Sequence, residues 1–213
     1  MITVYGRATS SNVQAVMWTI GELGLQYERL NYGHSYGGTD TPEFRAMNPN
    51  GLVPVMRDGH EEPLFESAAI IRYLASRYGS DAFWPKDVVA RAQVDKWAEW
   101  ARAEVAHAFT VPVFWPMVRT PAAKRDEAAL SRAIALLGEK LTIAEAELQR
   151  HAFLAGDRLT VADIQLGHLL YRYFTIDIPR AGHPALDAYY ERLTERPAYR
   201  EHVMVSYDAL KVN

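Results

Sequence analysis

Ser10-Ser11-Asn12 stands where an apolar strand pattern, residues 2–5, gives way to a helical pattern that begins near Val13. Two jobs suit that trio. Ser and Asn are favoured at helix N-caps, and capping alone would account for them. The same hydroxyls and amide could instead donate to an anion at the helix start, where the first backbone N–H groups have no partner within the helix. Glu66-Ser67 opens another helical pattern and reads first as a cap with an acid beside it. Pro54 interrupts the apolar run "LVPVMR", where it deletes a ladder hydrogen bond. It marks either an edge or bulge, or a cis turn that rotates the N–H and C=O of Val53 sideways out of the sheet.

The 213 residues contain no cysteine, which excludes a disulfide framework, a thiolate zinc site and a protein thiol nucleophile. The seven histidines are scattered with no His-x-x-x-His pair, so no metal site is expected. A net charge of −3 with both signs well mixed argues against nucleic acid and against a polybasic membrane patch. No apolar run reaches the roughly 20 residues of a membrane span. The start "MITVYG" lacks the order of a signal peptide, so a cytoplasmic location is expected.

The positioning elements follow from periodicity. Residues 2–5 and 25–30 read as strands around a helix carrying Val13, Val16, Met17, Ile20 and Leu23, with Gly24 at its C-terminal end. A Gly-rich loop leads to a short helix begun by Asp40, Pro42 and Glu43; residues 52–57 and 63–66 read as strands around Asp58-Gly59. The helix Ser67 to Tyr78 should turn Ile70, Ile71, Leu74 and Tyr78 inward, which completes a βαβ-αββα order. "GSDAFWPKD" (79–87) reads as a linker, and everything beyond is helical. Pro112 and Pro116 should interrupt one helix. Leu130 to Leu148 forms an amphipathic one, and Thr160 with Asp163 is a capping-box variant of purely structural meaning.

"YGRATSSNVQAV", "NPNGLVPVM", "ESAAIIRYLASRY" and "FLAGDRLTVADI", in this order and spacing, make the chain resemble the glutathione S-transferase family along nearly its whole length. The resemblance implies an α+β fold: a thioredoxin-like glutathione-binding domain over residues 1–79, then an all-helical domain over 87–213 that contributes the electrophile pocket. It further implies a detoxifying transferase, a homodimer and glutathione as co-substrate. The proline matching Pro54 is cis in that family, and the main chain of Val53 would pair with the cysteinyl unit as an added strand. Glu66 and Ser67 would hold the γ-glutamyl end, the carboxylate on the ligand ammonium and the hydroxyl on the ligand carboxylate.

Ser10 falls where serine-type relatives carry their thiol-activating residue, and Asn12 falls where some relatives carry an asparagine near the sulfur. Ser11 is then the cap or a second contact. Tyr5 lies near the place of the activating phenol in tyrosine-type members. The absence of cysteine disfavours thioltransferase chemistry. Many relatives hold the glycyl carboxylate with a polar side chain beside the Val-Pro step, where this chain has Gly51 and Leu52; Asn50, His34 and Arg7 are the substitutes. The electrophile is expected between the Ser10 loop and the helical domain, near Tyr5, Phe109, Phe114, Trp115 and Arg119. The alternative is a non-catalytic module that uses the same fold to bind ligands or partners.

Overall fold

The computed structural model describes residues 1–212, which form two compact units. The first comprises Met1–Ser80 together with Pro197–Val205; the second comprises Asp81–Arg196 and the chain from Ser206. In the first unit the order is β1 (Ile2–Tyr5), α1 (Ser11–Glu22), β2 (Tyr27–Leu30), α2 (Pro42–Met47), β3 (Val55–Asp58), β4 (Leu64–Phe65) and α3 (Ser67–Tyr78). The strands lie in the order β2-β1-β3-β4, with β1 parallel to β2 and antiparallel to β3, and β3 antiparallel to β4. This is the thioredoxin-like βαβ-αββα arrangement.

Burial explains the elements. Ile2 and Val4 of β1 are buried while Thr3 and Tyr5 are half-exposed, the period-two pattern of a strand with one face on a core. Helix α1 buries every residue from Val13 to Ile20, so it needs partners on more than one face. It packs on α3 and on the returning helix Pro197–His202, where Trp18 meets Tyr199 edge to face at 4.8 Å between ring centroids. The Trp18 indole N–H donates to Glu22 at 2.8 Å, which lets so large a ring be buried without losing a hydrogen bond. Tyr78 is corrected: it is exposed, and its hydroxyl donates to Asp58 at 2.6 Å. The cap of α2 is Thr41 rather than Asp40, its hydroxyl accepting from the Phe44 N–H.

In the second unit Phe83 and Trp84 are buried, so the expected linker is anchored by two aromatic rings. Helix α4 (Val88–Trp100) then continues through a π turn (Ala101–Val105), α5 (Ala106–Phe109), a second π turn (Thr110–Phe114) and α6 (Trp115–Arg119). The prolines therefore do not break it. Pro112 sits inside the second π turn and Pro116 at the start of α6; the wider turn relieves the clash of a ring with the carbonyl one turn back. Three further helices follow, α7 (Glu127–Leu148), α8 (Val161–Thr175) and α9 (Pro184–Thr194); α10 (Pro197–His202) belongs to the first unit.

The start of α8 is held by Asp163, which is fully buried. Its carboxylate accepts from the Leu154 and Thr160 N–H groups at 2.8 and 2.7 Å, from the Thr160 hydroxyl at 3.0 Å and from the Tyr189 hydroxyl at 2.9 Å. Burial raises the Asp163 carboxyl above the ordinary range, against the pull of those donors.

Candidate active site

Sheet register brings three separated segments to one end of the first unit. Tyr5 pairs with Val55, and Val55 with Phe65; one step past the ladder, Gly6 and Glu66 flank Pro54. Strands β1 and β4 run in the same direction, so α1 and α3, which follow them, both start at that end. A glycine is required at position 6: a Cβ there would lie 2.5 Å from Val13 and 3.3 Å from Val53.

The loop after β1 is fixed by its backbone. Gly6 N–H donates to Leu30 O at 2.8 Å, Arg7 N–H to Tyr32 O at 3.1 Å, and Ser10 N–H to Arg7 O at 3.1 Å. Ser10 has extended backbone angles, and its carbonyl accepts from the Gln14 N–H at 2.9 Å, so it is the N-cap by position. Its side chain nevertheless makes no capping hydrogen bond, and the first turn of α1 carries no acid. Thr41, Asp87, Asp126 and Thr160 each accept a backbone N–H at the start of α2, α4, α7 and α8, whereas Glu66 at α3 and His183 at α9, like Ser10, make no side-chain capping bond. Helix α1 is thus entered through a serine whose hydroxyl is not used for capping, with no anionic side chain of its own to occupy its N–H groups. Ser11 beside it is half-buried and Asn12 exposed. Tyr5 is half-buried and packs edge to face on Tyr32 at 5.4 Å, and Tyr32 stacks on Phe44 at 5.3 Å.

The brace behind this loop went unassigned in the reading of the sequence. Gln14, a polar residue inside the buried run of α1, is 1% exposed and donates from Nε2 to Ala8 O at 2.9 Å. A lone amide in an otherwise apolar helical face was the available signal.

The Val53–Pro54 peptide is cis. Strand β3 begins at Val55, so Val53 stands outside the ladder. The turn before it is clamped by Asn48, which is buried; its Nδ2 donates to Leu52 O at 2.7 Å and its Oδ1 accepts from the N–H and Nδ2 of Asn50, both at 3.1 Å. Asn50 and Leu52 are exposed, and the Asn50 amide already donates within the turn. A Cβ at Gly51, whose φ is +65°, would lie 2.9 Å from Thr39 O, so no side chain fits there. A Cβ placed on Gly33 would be 3.5 Å from both Arg7 Nη1 and Val53 Cγ1, so the Arg7 guanidinium and the Val53 side chain both lie close to that glycine.

Glu66 is one of two non-glycine residues with positive φ among the described residues, at φ 68° and ψ 109°; His34 is the other. Such a conformation costs on the order of 1–3 kcal/mol and persists only where surroundings impose it. Its carbonyl accepts from the Ile70 N–H at 3.0 Å, but its carboxylate makes no capping bond. Glu66 is exposed and Ser67 half-buried.

In the second unit the aromatic residues separate. Phe109 and Phe114 are 2% and 0% exposed; Phe109 packs on Tyr173, and Phe114 on Tyr207 and Trp115. Their rings serve the helical core, which corrects the expectation that they line a pocket. Trp115 is half-buried, with the exposed Arg119 guanidinium 3.7 Å from its ring centroid. No group of three or more His, Cys, Asp or Glu suited to a metal ion occurs among the described residues.

Comparisons with known proteins identify the family. Residues 1–76 match the model of the glutathione S-transferase N-terminal domain, and residues 101–197 that of the C-terminal domain. Glutathione S-transferase GstB of Escherichia coli K12 is 38% identical over 206 residues, 96% of this chain and 99% of its own length. Glutathione S-transferase 3 of Zea mays is 32% identical over 211 residues, covering 95% and 93% of the two chains. The theta class glutathione S-transferase from Xanthomonas axonopodis pv. citri, solved with glutathione bound, superposes with a TM-score of 0.90 at 42% identity over 96% of this chain and 98% of that one. With two domain models and full-length relatives in agreement, the chain belongs to the glutathione S-transferase family and is a glutathione transferase enzyme.

Proposed function

We propose that this protein binds glutathione as co-substrate at the shared end of β1, β3 and β4, stabilises its thiolate and conjugates it to hydrophobic electrophiles. The observation that carries the reading is the uncommitted Ser10 hydroxyl at an acid-free helix start. A thiol with a pKa near 8.5 needs a shift of about two units, roughly 3 kcal/mol, to be mostly thiolate at neutral pH. One charge-assisted hydrogen bond contributes about 1.5–3 kcal/mol and a helix N-terminus about 0.3–1. Ser10 and the start of α1 together reach that range, and Asn12 supplies a second donor.

The other roles follow from position. Val53 offers main-chain groups outside the ladder, ahead of Pro54, for pairing with the cysteinyl unit. Glu66 faces the ligand ammonium, and Ser67 with the N–H groups of α3 faces the γ-carboxylate end. Arg7, next to Val53, is the best-placed cation for the glycyl carboxylate; Asn50, Leu52 and Ser11 border the site and His34 is a second candidate. Neither Ser10 nor Asn12 is a base at neutral pH. The thiol proton therefore leaves to solvent, the sulfur lone pair forms the new S–C bond, and a leaving group departs or a double bond takes up a proton. Trp115 and Arg119 are the electrophile contacts retained from the helical unit.

The enzyme is further proposed to act as a cytoplasmic homodimer, a state that sedimentation tests. Retention on glutathione resin together with activity toward 1-chloro-2,4-dinitrobenzene tests the main reading. Loss of both in correctly folded protein overturns it.

A further inference from the structure

Glutamine is a costly choice at position 14. Every residue from Val13 to Ile20 is buried, and the other side-chain polar groups in that run bond within α1: the Trp18 indole to Glu22 at 2.8 Å and the Thr19 hydroxyl to Ala15 O at 2.9 Å. Gln14 reaches out of the helix. Its Nε2 donates to Ala8 O at 2.9 Å, which fixes the amide orientation, and its Oε1 is left buried with no hydrogen-bond partner. An orphaned buried acceptor lowers stability in a way that an apolar side chain at the same place would not. The one interaction set against that loss is the bond to Ala8.

The helix geometry gives this bond leverage over Ser10. With Ser10 as N-cap, Gln14 is the fourth residue of α1, and helical side chains lean toward the N-terminus, so the position overhangs the loop that enters the helix. An apolar residue at this place commonly packs on the incoming chain and fixes its entry angle. Gln14 does so through a directed hydrogen bond instead. Residues 6 and 7 are tied to Leu30 O and Tyr32 O, and the Ser10 N–H turns back to Arg7 O. On the α1 side Gln14 holds the segment twice, its backbone N–H on Ser10 O and its side chain on Ala8 O, each at 2.9 Å. The Ser10 hydroxyl makes no capping bond, so the backbone that carries it sets its direction.

We propose that Gln14 is a positioning residue that holds the Ala8–Ser10 backbone so that the Ser10 hydroxyl is aimed at the sulfur of bound glutathione; the role rests on the reading of Ser10 as the thiolate's donor. Hydrogen bonds weaken steeply with angle and distance, so a loop released on one side donates less well while the fold stays intact.

Gln14→Met tests this, because an unbranched apolar chain of similar size removes Nε2 and the orphaned Oε1 together. The carbonyl it releases belongs to the half-exposed Ala8 and can turn to water. Ultraviolet thiolate absorbance of the glutathione complex is recorded against pH for the parent, Ser10→Ala, Gln14→Met and the double variant, together with the glutathione Kd and the Tm of each. Gln14→Met should raise the bound thiol pKa by about one, which from a parent value near 6.5 lowers the thiolate fraction at pH 7 about threefold. Its kcat should fall in step, with the glutathione Kd within about twofold of the parent and Tm level or higher. In the double variant the pKa should equal that of Ser10→Ala, since Gln14 acts through that hydroxyl. Gln14→Leu serves if the first variant misfolds. A pKa that moves in Ser10→Ala and not in Gln14→Met overturns the proposal. So does an effect that adds in full to that of Ser10→Ala, or a fall in Tm with loss of glutathione binding, which a merely structural role would give. A pKa unmoved in Ser10→Ala itself would instead overturn the reading of Ser10 as donor, and the role of Gln14 with it.

Discussion

Replacing Ser10 by alanine separates the two jobs of a helix-start serine, because the structure gives each job a different signature. If the hydroxyl capped α1, its loss would cost about 0.5–2 kcal/mol, a fall of several degrees in Tm for a chain of this size. No such capping bond exists, so the stability of Ser10→Ala should stay within about 0.5 kcal/mol of the parent. If instead the hydroxyl donates to the glutathione sulfur, its loss removes about 1.5–3 kcal/mol of differential stabilisation of the thiolate, which raises the bound thiol pKa by about 1–2 units. From a bound pKa near 6.5, the thiolate fraction at pH 7 then drops about 3- to 25-fold. Thermal unfolding and the ultraviolet thiolate absorbance of the glutathione complex, recorded against pH, read the two effects independently. An unchanged absorbance pKa with a clear drop in Tm would refute the reasoning and return Ser10 to a capping role; a pKa shift on Asn12→Ala or Tyr5→Phe instead would move the activating role.

The other predictions concern the scaffold. Asp163→Ala removes the acceptor of two buried N–H groups, those of Leu154 and Thr160, and should lower stability by on the order of 3–5 kcal/mol in urea unfolding. Glu66→Gly relieves a positive φ, so it should leave stability level or up to about 1 kcal/mol higher while weakening retention on glutathione resin; a loss above that size would contradict the strain argument. Burial drives His168 from 6.5 down to about 4, with Arg172 adding to the effect. The folded state thus keeps this ring neutral while the unfolded chain takes up a proton, and stability falls as pH drops from about 6.5 to about 4, by on the order of 3 kcal/mol. His202 is shifted the same way by burial, so His168→Gln should flatten the acid limb of urea midpoints in that window without abolishing it.

Local chemistry was legible in the sequence wherever a residue has few alternatives. A proline inside a strand pattern and a Thr-x-x-Asp before an apolar run each have only a few physical readings, and the helix from Ser67 to Tyr78 has the predicted limits. Burial around a helix was not legible, because periodicity says which face is apolar and not how many neighbours arrive. Phe109 and Phe114 look the same as pocket-lining aromatics in one dimension, and only packing on Tyr173 and Tyr207 assigns them to the core. Pro112 misled for a similar reason: a π turn depends on the whole helix and has no residue signature of its own. The Gln14 amide and the cation beside Val53 depend on contacts between segments distant in sequence, which no local pattern encodes.

The return of α10 to the first unit bears on the order in which the protein is made. Residues 1–80 leave the ribosome long before residues 197–205, so α1 must wait for the surface that covers Trp18 until residues 197–205 have been made. During that interval the segment of residues 1–80 presents an apolar helix flank to the cell, an invitation to chaperones or to self-association. A gene fragment ending near residue 80 would inherit that exposure permanently, whereas one in which residues 197–205 are spliced behind residue 80 through a flexible linker would regain its cover.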